Sequence, residues 1–147
     1  MDVQSGILMV LSTLGLMVLL ALLILMLIKP ARRLKAFANF KQGNEHPDKS
    51  VIGLKIENVG KKPMSIVFFY ARFHDQLTHK KVMLDPKHIS CKLPYFIKKG
   101  ETLNCDLDIG DYIKTLKEQS FDLNSVKILV ANSLSMEYVT NSLEIKG

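Results

Sequence analysis

Four histidines, His46, His74, His79 and His88, and the carboxylates Glu101, Asp106, Asp108 and Asp111 are the side chains of this 147-residue chain suited to bind a metal or move a proton. Zinc on a helix needs two histidines at i, i+4 with a carboxylate nearby. The HDQLTH stretch has neither the spacing nor a helical pattern, so its histidines read as surface groups. Asp106 and Asp108 alternate outward on a strand-like stretch with Glu101 and Asp111 close by, an arrangement that would suit a cation such as calcium. A run of this kind is more simply a solvated face. The sequence contains no Gly-rich phosphate loop, no nucleophile elbow and no Cys-His pairing with local support. The expectation is a protein without catalytic residues, metal or cofactor.

Cys91 and Cys105 are the only cysteines, in the strand-like stretches ISCKL and TLNCDLDI. In the second, Leu103, Cys105, Leu107 and Ile109 share one parity while Thr102, Asn104, Asp106 and Asp108 share the other, which puts Cys105 on a buried face. In a cytoplasmic domain both thiols are expected to stay reduced. A disulfide between them would imply the opposite topology.

The compartment is set by the N-terminal segment. From Ile7 to Ile28 there are 22 residues without a charge, fifteen of them Leu, Ile or Val. At about 1.5 Å per residue they make a helix of roughly 33 Å, enough to cross the hydrocarbon layer. Only Ser12, Thr13 and Gly15 interrupt the run, and no polar face of the kind a soluble helix shows is present. The preceding MDVQSG carries no Lys or Arg, and the run ends in Lys-Pro-Ala-Arg-Arg without a small-residue cleavage site, so a removable signal peptide is not the expectation. The domain plan is a short segment 1–6, a transmembrane helix 7–28, a basic junction 29–35 and a β domain 36–147. Lys29, Arg32, Arg33 and Lys35 crowd the C-terminal flank of the span, which predicts the N-terminus outside and the domain in the cytoplasm, at the inner membrane.

The overall charge of +6 is local. Residues 51–147 carry 14 basic and 11 acidic side chains, whereas residues 29–49 carry six and two. That pattern speaks against a nucleic-acid footprint and for topology with some contact to anionic lipid.

Beyond Pro30 the period changes from helical to strand-like. RLKAFANFKQ and VIGLKIEN alternate around the turn QGNEHPDKS, with Ile52, Leu54 and Ile56 on one face. ENVGKKPMS is a second turn, in which Gly60 can supply a positive φ and Pro63 opens the next strand without losing a ladder bond. SIVFFYARFH is long, aromatic and β-branched, hence central. KKVMLD is a short strand, Lys98 to Gly100 a turn, and Asp111 an N-cap for the short helix YIKTLKEQ. SVKILVAN and MEYVTNSLEI close the chain as two strands around the turn from Asn132 to Ser135. The predicted fold is mainly β: an N-terminal transmembrane helix, then an antiparallel β-sandwich of about seven strands with a short helix between late strands.

IENVGKKPMSI, LPYFIKKGETLNCDLDIGDYIKTL and VKILVANSLSMEYVTNSLEI resemble, in that order, landmarks of a group of small bacterial and phage single-pass membrane proteins with a C-terminal immunoglobulin-like domain. Asn58, Gly60 and Pro63 match the group's first turn, Gly100 and Glu101 most of its second, and Ser133 with Tyr138 part of its final hairpin. Lys99 replaces a proline of the pattern, and Asn132 and Ser135 replace its aspartate and glycine. The resemblance implies an immunoglobulin-like sandwich and no catalytic assignment.

The function expected is that of a membrane-anchored, non-catalytic accessory or scaffold subunit. Its span packs against a larger membrane protein through the small residues Ser12 and Gly15, and its sandwich binds a partner protein through a loop cluster or an open strand edge. The alternatives are a tethered sensor or effector that binds a ligand or phage component, and a metal-dependent or hydrolytic enzyme assembled by the fold.

Overall fold

The structure is a computed structural model that describes residues 2–27, 33–41 and 50–145. The chain divides into two compact units, Met1–Pro30 and Ala31–Gly147. The first is helix α1, Val3–Leu27, with no charged side chain and no buried residue anywhere along its 25 residues. Its Leu, Ile and Met side chains favour helix, and it is apolar on every side, so it lacks the polar stripe that water would require.

The described residues of the second unit form nine strands: β1 Leu34–Phe40, β2 Val51–Asn58, β3 Met64–His74, β4 His79–Met83, β5 Tyr95–Ile97, β6 Thr102–Asp108, β7 Ser125–Asn132, β8 Glu137–Val139 and β9 Leu143–Glu144. Helix α2, Gly110–Glu118, lies between β6 and β7. The strands form two antiparallel sheets. One is ordered β1-β2-β6; the other is ordered β4-β3-β7-β8, with β5 also on β3 and β9 also on β7.

Period-2 patterning produces the first sheet. Ile52, Leu54 and Ile56 of β2 lie opposite Leu107, Cys105 and Leu103 of β6 and opposite Phe40, Ala38 and Ala36 of β1, so one register puts all these side chains on one face. That face shares a single hydrophobic core with Ile66, Phe69, Ala71 and Phe73 of β3 and with Val126, Ile128 and Val130 of β7. As its composition suggests, β3 is central, pairing with β4, β5 and β7.

A register shift between Ile66 and Phe68 marks a bulge at Val67. The extra residue lets Ile66 and Phe69, three apart in sequence, both face the core, and it turns Phe68 outward.

Four expectations need correction. ISCKL is not a strand: only Ile89 makes an isolated bridge, to Leu107. MEYVTNSLEI is two short strands, because the buried Thr140 hydroxyl accepts the Ile128 N–H at 3.0 Å and interrupts the ladder. With YFI as a strand of its own, the count among the described residues is nine, against about seven expected. The N-cap of α2 is Ile109 and makes no side-chain cap; Asp111 lies inside the first turn, where its charge suits the helix dipole. The turn QGNEHPDKS falls outside the described residues except for Ser50.

Candidate functional site

The anchor residues come first. Ser12 and Thr13 both donate their hydroxyl protons to the Met9 carbonyl, at 3.0 and 2.7 Å, so neither leaves an unsatisfied donor in an apolar medium. A Cβ added at Gly15 would meet nothing within 4 Å, which leaves a shallow notch open beside Ser12. Of the basic cluster, Lys29 and Arg32 lie outside the described residues. The carbonyl of Arg33 accepts the N–H groups of Val59 and Gly60, each at 3.1 Å, and Lys35 pairs across β1–β2 with Glu57. The entry to the domain is thereby tied to the turn after β2.

The turn residues meet in space. Asn58 is buried, and its carboxamide donates to the carbonyls of Lys62 at 3.0 Å and Ile97 at 3.2 Å while accepting the Gly60 N–H at 3.0 Å. Its main-chain carbonyl takes the Gly100 N–H at 2.9 Å. Gly100 holds φ +76°, a left-handed conformation that suits glycine. Pro63 directly precedes β3. Glu101 closes the arrangement: one carboxylate oxygen accepts the Tyr95 hydroxyl and the other the Lys98 N–H. Those two bonds, the tyrosine's first, hold its carboxyl below the ordinary value.

Cys91 and Cys105 form a disulfide, their Cα atoms 5.4 Å apart. This corrects the expectation of two reduced thiols. The pairing follows from local geometry: the Ile89–Leu107 bridge and the Ser90 N–H bond to the Asp106 carbonyl bring position 91 beside position 105.

The remaining polar candidates are dispersed. His46 lies outside the described residues. His74 and His79 lie with ring centres 5.7 Å apart and planes tilted by 41°, and burial, followed by Lys127, His79 and Arg72, keeps the His74 imidazole below its ordinary pKa. His88 packs edge-on against Tyr112, its Nε2 3.7 Å from an Asp111 oxygen. Asp106 is held by Lys41 at 2.8 Å, and Asp108 accepts the Gly110 N–H at 3.0 Å at the start of α2. Among the described residues no group of three or more His, Cys, Asp or Glu side chains is placed to hold a metal ion.

Two surface features escaped the sequence reading. The first concerns strand edges. The edge of β1 is blocked by Asn141, whose carboxamide accepts the Ala38 N–H and donates to the Ala38 carbonyl, both at 2.9 Å. The edge of β6 is met by Ile89 and Ser90. At the end of the second sheet, β4 pairs with β3 alone among the described strands. Beside it, Phe68, Met83, Leu84, Ile89 and Leu93 line an apolar groove of about 250 Å³. The second feature is the outer face of that sheet, where aromatic side chains stand next to a row of cations. Only the bulge at Val67 and the cross-strand registers reveal it.

Comparison with known proteins gives little. No protein-family model matches the chain, and no curated protein does. Among solved structures, a crystal structure of a protein described as ApaA from Bordetella pertussis is similar at 10% identity, covering 79% of this chain and 94% of that one, with a TM-score of 0.45. A likeness that weak carries no functional argument.

Proposed function

We propose that the chain is a single-pass membrane protein and a non-catalytic accessory or scaffold subunit, its immunoglobulin-like sandwich held at the bilayer to bind a partner protein. The observation that carries this reading is α1, a 25-residue helix apolar on every side without one buried residue. Such a surface is stable in lipid and not in water. The notch at Ser12 and Gly15 supports close approach by a neighbouring span. The edge of β4, unpaired among the described residues, supports strand addition by a partner segment. The dispersal of the histidines and carboxylates among structural partners supports a binding role over an enzymatic one. Crosslinking in native membranes, followed by identification of the neighbours, tests the proposal. Recurrent capture of one integral membrane protein is expected, and repeated recovery of the monomer alone would sink it.

Orientation rests on Lys29, Arg32, Arg33 and Lys35, which favour retention of the domain on the cytoplasmic side. A second reading, with the domain outside, is favoured by the disulfide, because such bonds persist in oxidising compartments. The first reading is kept because the cation asymmetry acts on insertion itself, whereas the strand geometry that seats Cys91 beside Cys105 is the same on either side of the membrane, so that the pair is reduced inside and bonded outside. Protease added to spheroplasts, combined with thiol labelling before and after reduction, separates them. A protected domain with two free thiols supports the inner placement. A digested domain with bonded cysteines supports the outer one.

A further inference from the structure

The outer face of the six-stranded sheet is organised in cross-strand rows whose chemistry changes along the strands. Phe96 lies opposite Ser65, Phe68 opposite the buried Ala131, and the third row runs Met83, Tyr70, Leu129, Val139, in which Leu129 is fully buried and Val139 exposed. Phe68, Met83 and Phe96 are 48%, 52% and 59% exposed, Phe68 and Met83 beside the apolar groove at the β4 edge. The next row is Lys81, Arg72, Lys127. Like charges directly opposite one another repel, so this row destabilises the isolated sheet. Lys81 finds Glu137 and sits 4.5 Å above the Tyr70 ring, but the buried Nε of Arg72 makes no hydrogen bond. Among the described residues the row is short of anions.

We propose that this face docks onto an anionic lipid surface, with Phe68, Met83 and Phe96 entering the headgroup–acyl boundary while Lys81, Arg72 and Lys127 meet lipid phosphates. The inference rests on the anchoring reading and extends it to the domain. Exposed aromatic and thioether groups flanked by cations match the bilayer interface in chemistry and in order. Reach selects lipid over a protein occupant: β1 begins seven residues after Leu27, at most about 25 Å of chain, so the bilayer is present at a permanently high effective concentration. A soluble partner would have to meet the full cost of association.

The chain contains no tryptophan, so Phe96→Trp in the full-length protein supplies a single fluorescent reporter on this face. In nanodiscs containing anionic lipid, its emission is expected to shift to the blue and to be quenched by lipids brominated near the headgroup. In neutral discs it should do neither. Each cation near an anionic surface is worth roughly a fivefold change in occupancy, so adding Lys81→Glu and Lys127→Glu should lower docking by about tenfold or more. Phe37→Trp, on the exposed face of the other sheet, is the control and should remain unquenched. A chain that inserts in the discs while position 96 stays unquenched overturns the docking alone. Equal quenching at positions 37 and 96 overturns the assignment of the face. A chain that fails to enter the discs overturns the anchor and this proposal with it.

Discussion

Asn58 shows how much structure one side chain can hold. Its carboxamide satisfies a donor and two acceptors from three places in the turn and in β5, the bonds to Gly60 and Ile97 buried and that to Lys62 partly so. Asn58→Ala removes the hydrogen bonds and leaves the Gly60 N–H and the Ile97 carbonyl buried without them, which should cost about 2–4 kcal/mol in urea unfolding of the full chain in detergent. Asn58→Asp supplies only the acceptor and places a carboxylate against two carbonyls, so it should do no better. Glu101 gives a pH dependence with a defined sign. Its carboxyl is held below the ordinary 4.5 by the Tyr95 hydroxyl and then the Lys98 N–H. A depressed carboxyl stabilises the fold above its unfolded value and loses that contribution as pH falls through the folded value. Melting followed between about pH 6 and 3 should therefore show a smaller acid-side decline in Glu101→Gln than in the parent chain. At this scale the sequence was informative. Asn, Gly and Pro betray turns through their backbone preferences, and the alternation around Cys105 gave its burial. That Asn58 would collect partners as far away as Ile97 was not legible, because the bond depends on how β5 meets β3.

At the scale of elements, alternation was readable where it ran for seven or eight residues, as in β2 and β6, and misleading where it ran for four or five. ISCKL alternates, but its backbone bends away after a single bridge, and the two-residue period cannot show that. The break between β8 and β9 depends on the Thr140 hydroxyl substituting for a ladder partner, a contact only the packed sheet creates. The protection of the β1 edge was equally hidden, since Ala38 and Asn141 are 103 residues apart. Its role can be tested: Asn141→Ala should cost about 1–2 kcal/mol and speed amide exchange at Ala38 ahead of the neighbouring β1 amides. Uniform exchange along β1 would show that the carboxamide is dispensable. The Cys91–Cys105 link closes a loop with a sequence separation of 14. Reduction of the purified protein is expected to lower its unfolding free energy by about 3 kcal/mol, read as a shift of the urea midpoint with and without dithiothreitol.

For the molecule as a whole, everything proposed depends on the insertion energetics of α1, and those can be put to a graded test. Fifteen Leu, Ile and Val residues lie between Ile7 and Ile28. At about half a kcal/mol each near the centre, they favour the bilayer by roughly 7 kcal/mol. A lysine in the middle of the span costs about 3 kcal/mol, less what snorkelling returns. Leu16→Lys alone should therefore leave the protein in the membrane fraction after carbonate extraction. Adding Leu20→Lys and Leu23→Lys brings the penalty to about 9 kcal/mol, which exceeds the favourable term and should move the chain to the soluble fraction or into aggregates. The gradation matters more than either endpoint. A helix retained through contacts with a partner span would respond to which face carries the charge, so the single variants Gly15→Lys and Leu16→Lys would differ. A helix retained by lipid alone would respond only to number and depth. If the triple variant stayed membrane-bound and only substitutions beside Ser12 and Gly15 released the chain, the anchor would owe its place to a protein neighbour, and the apolar length of α1 would be secondary.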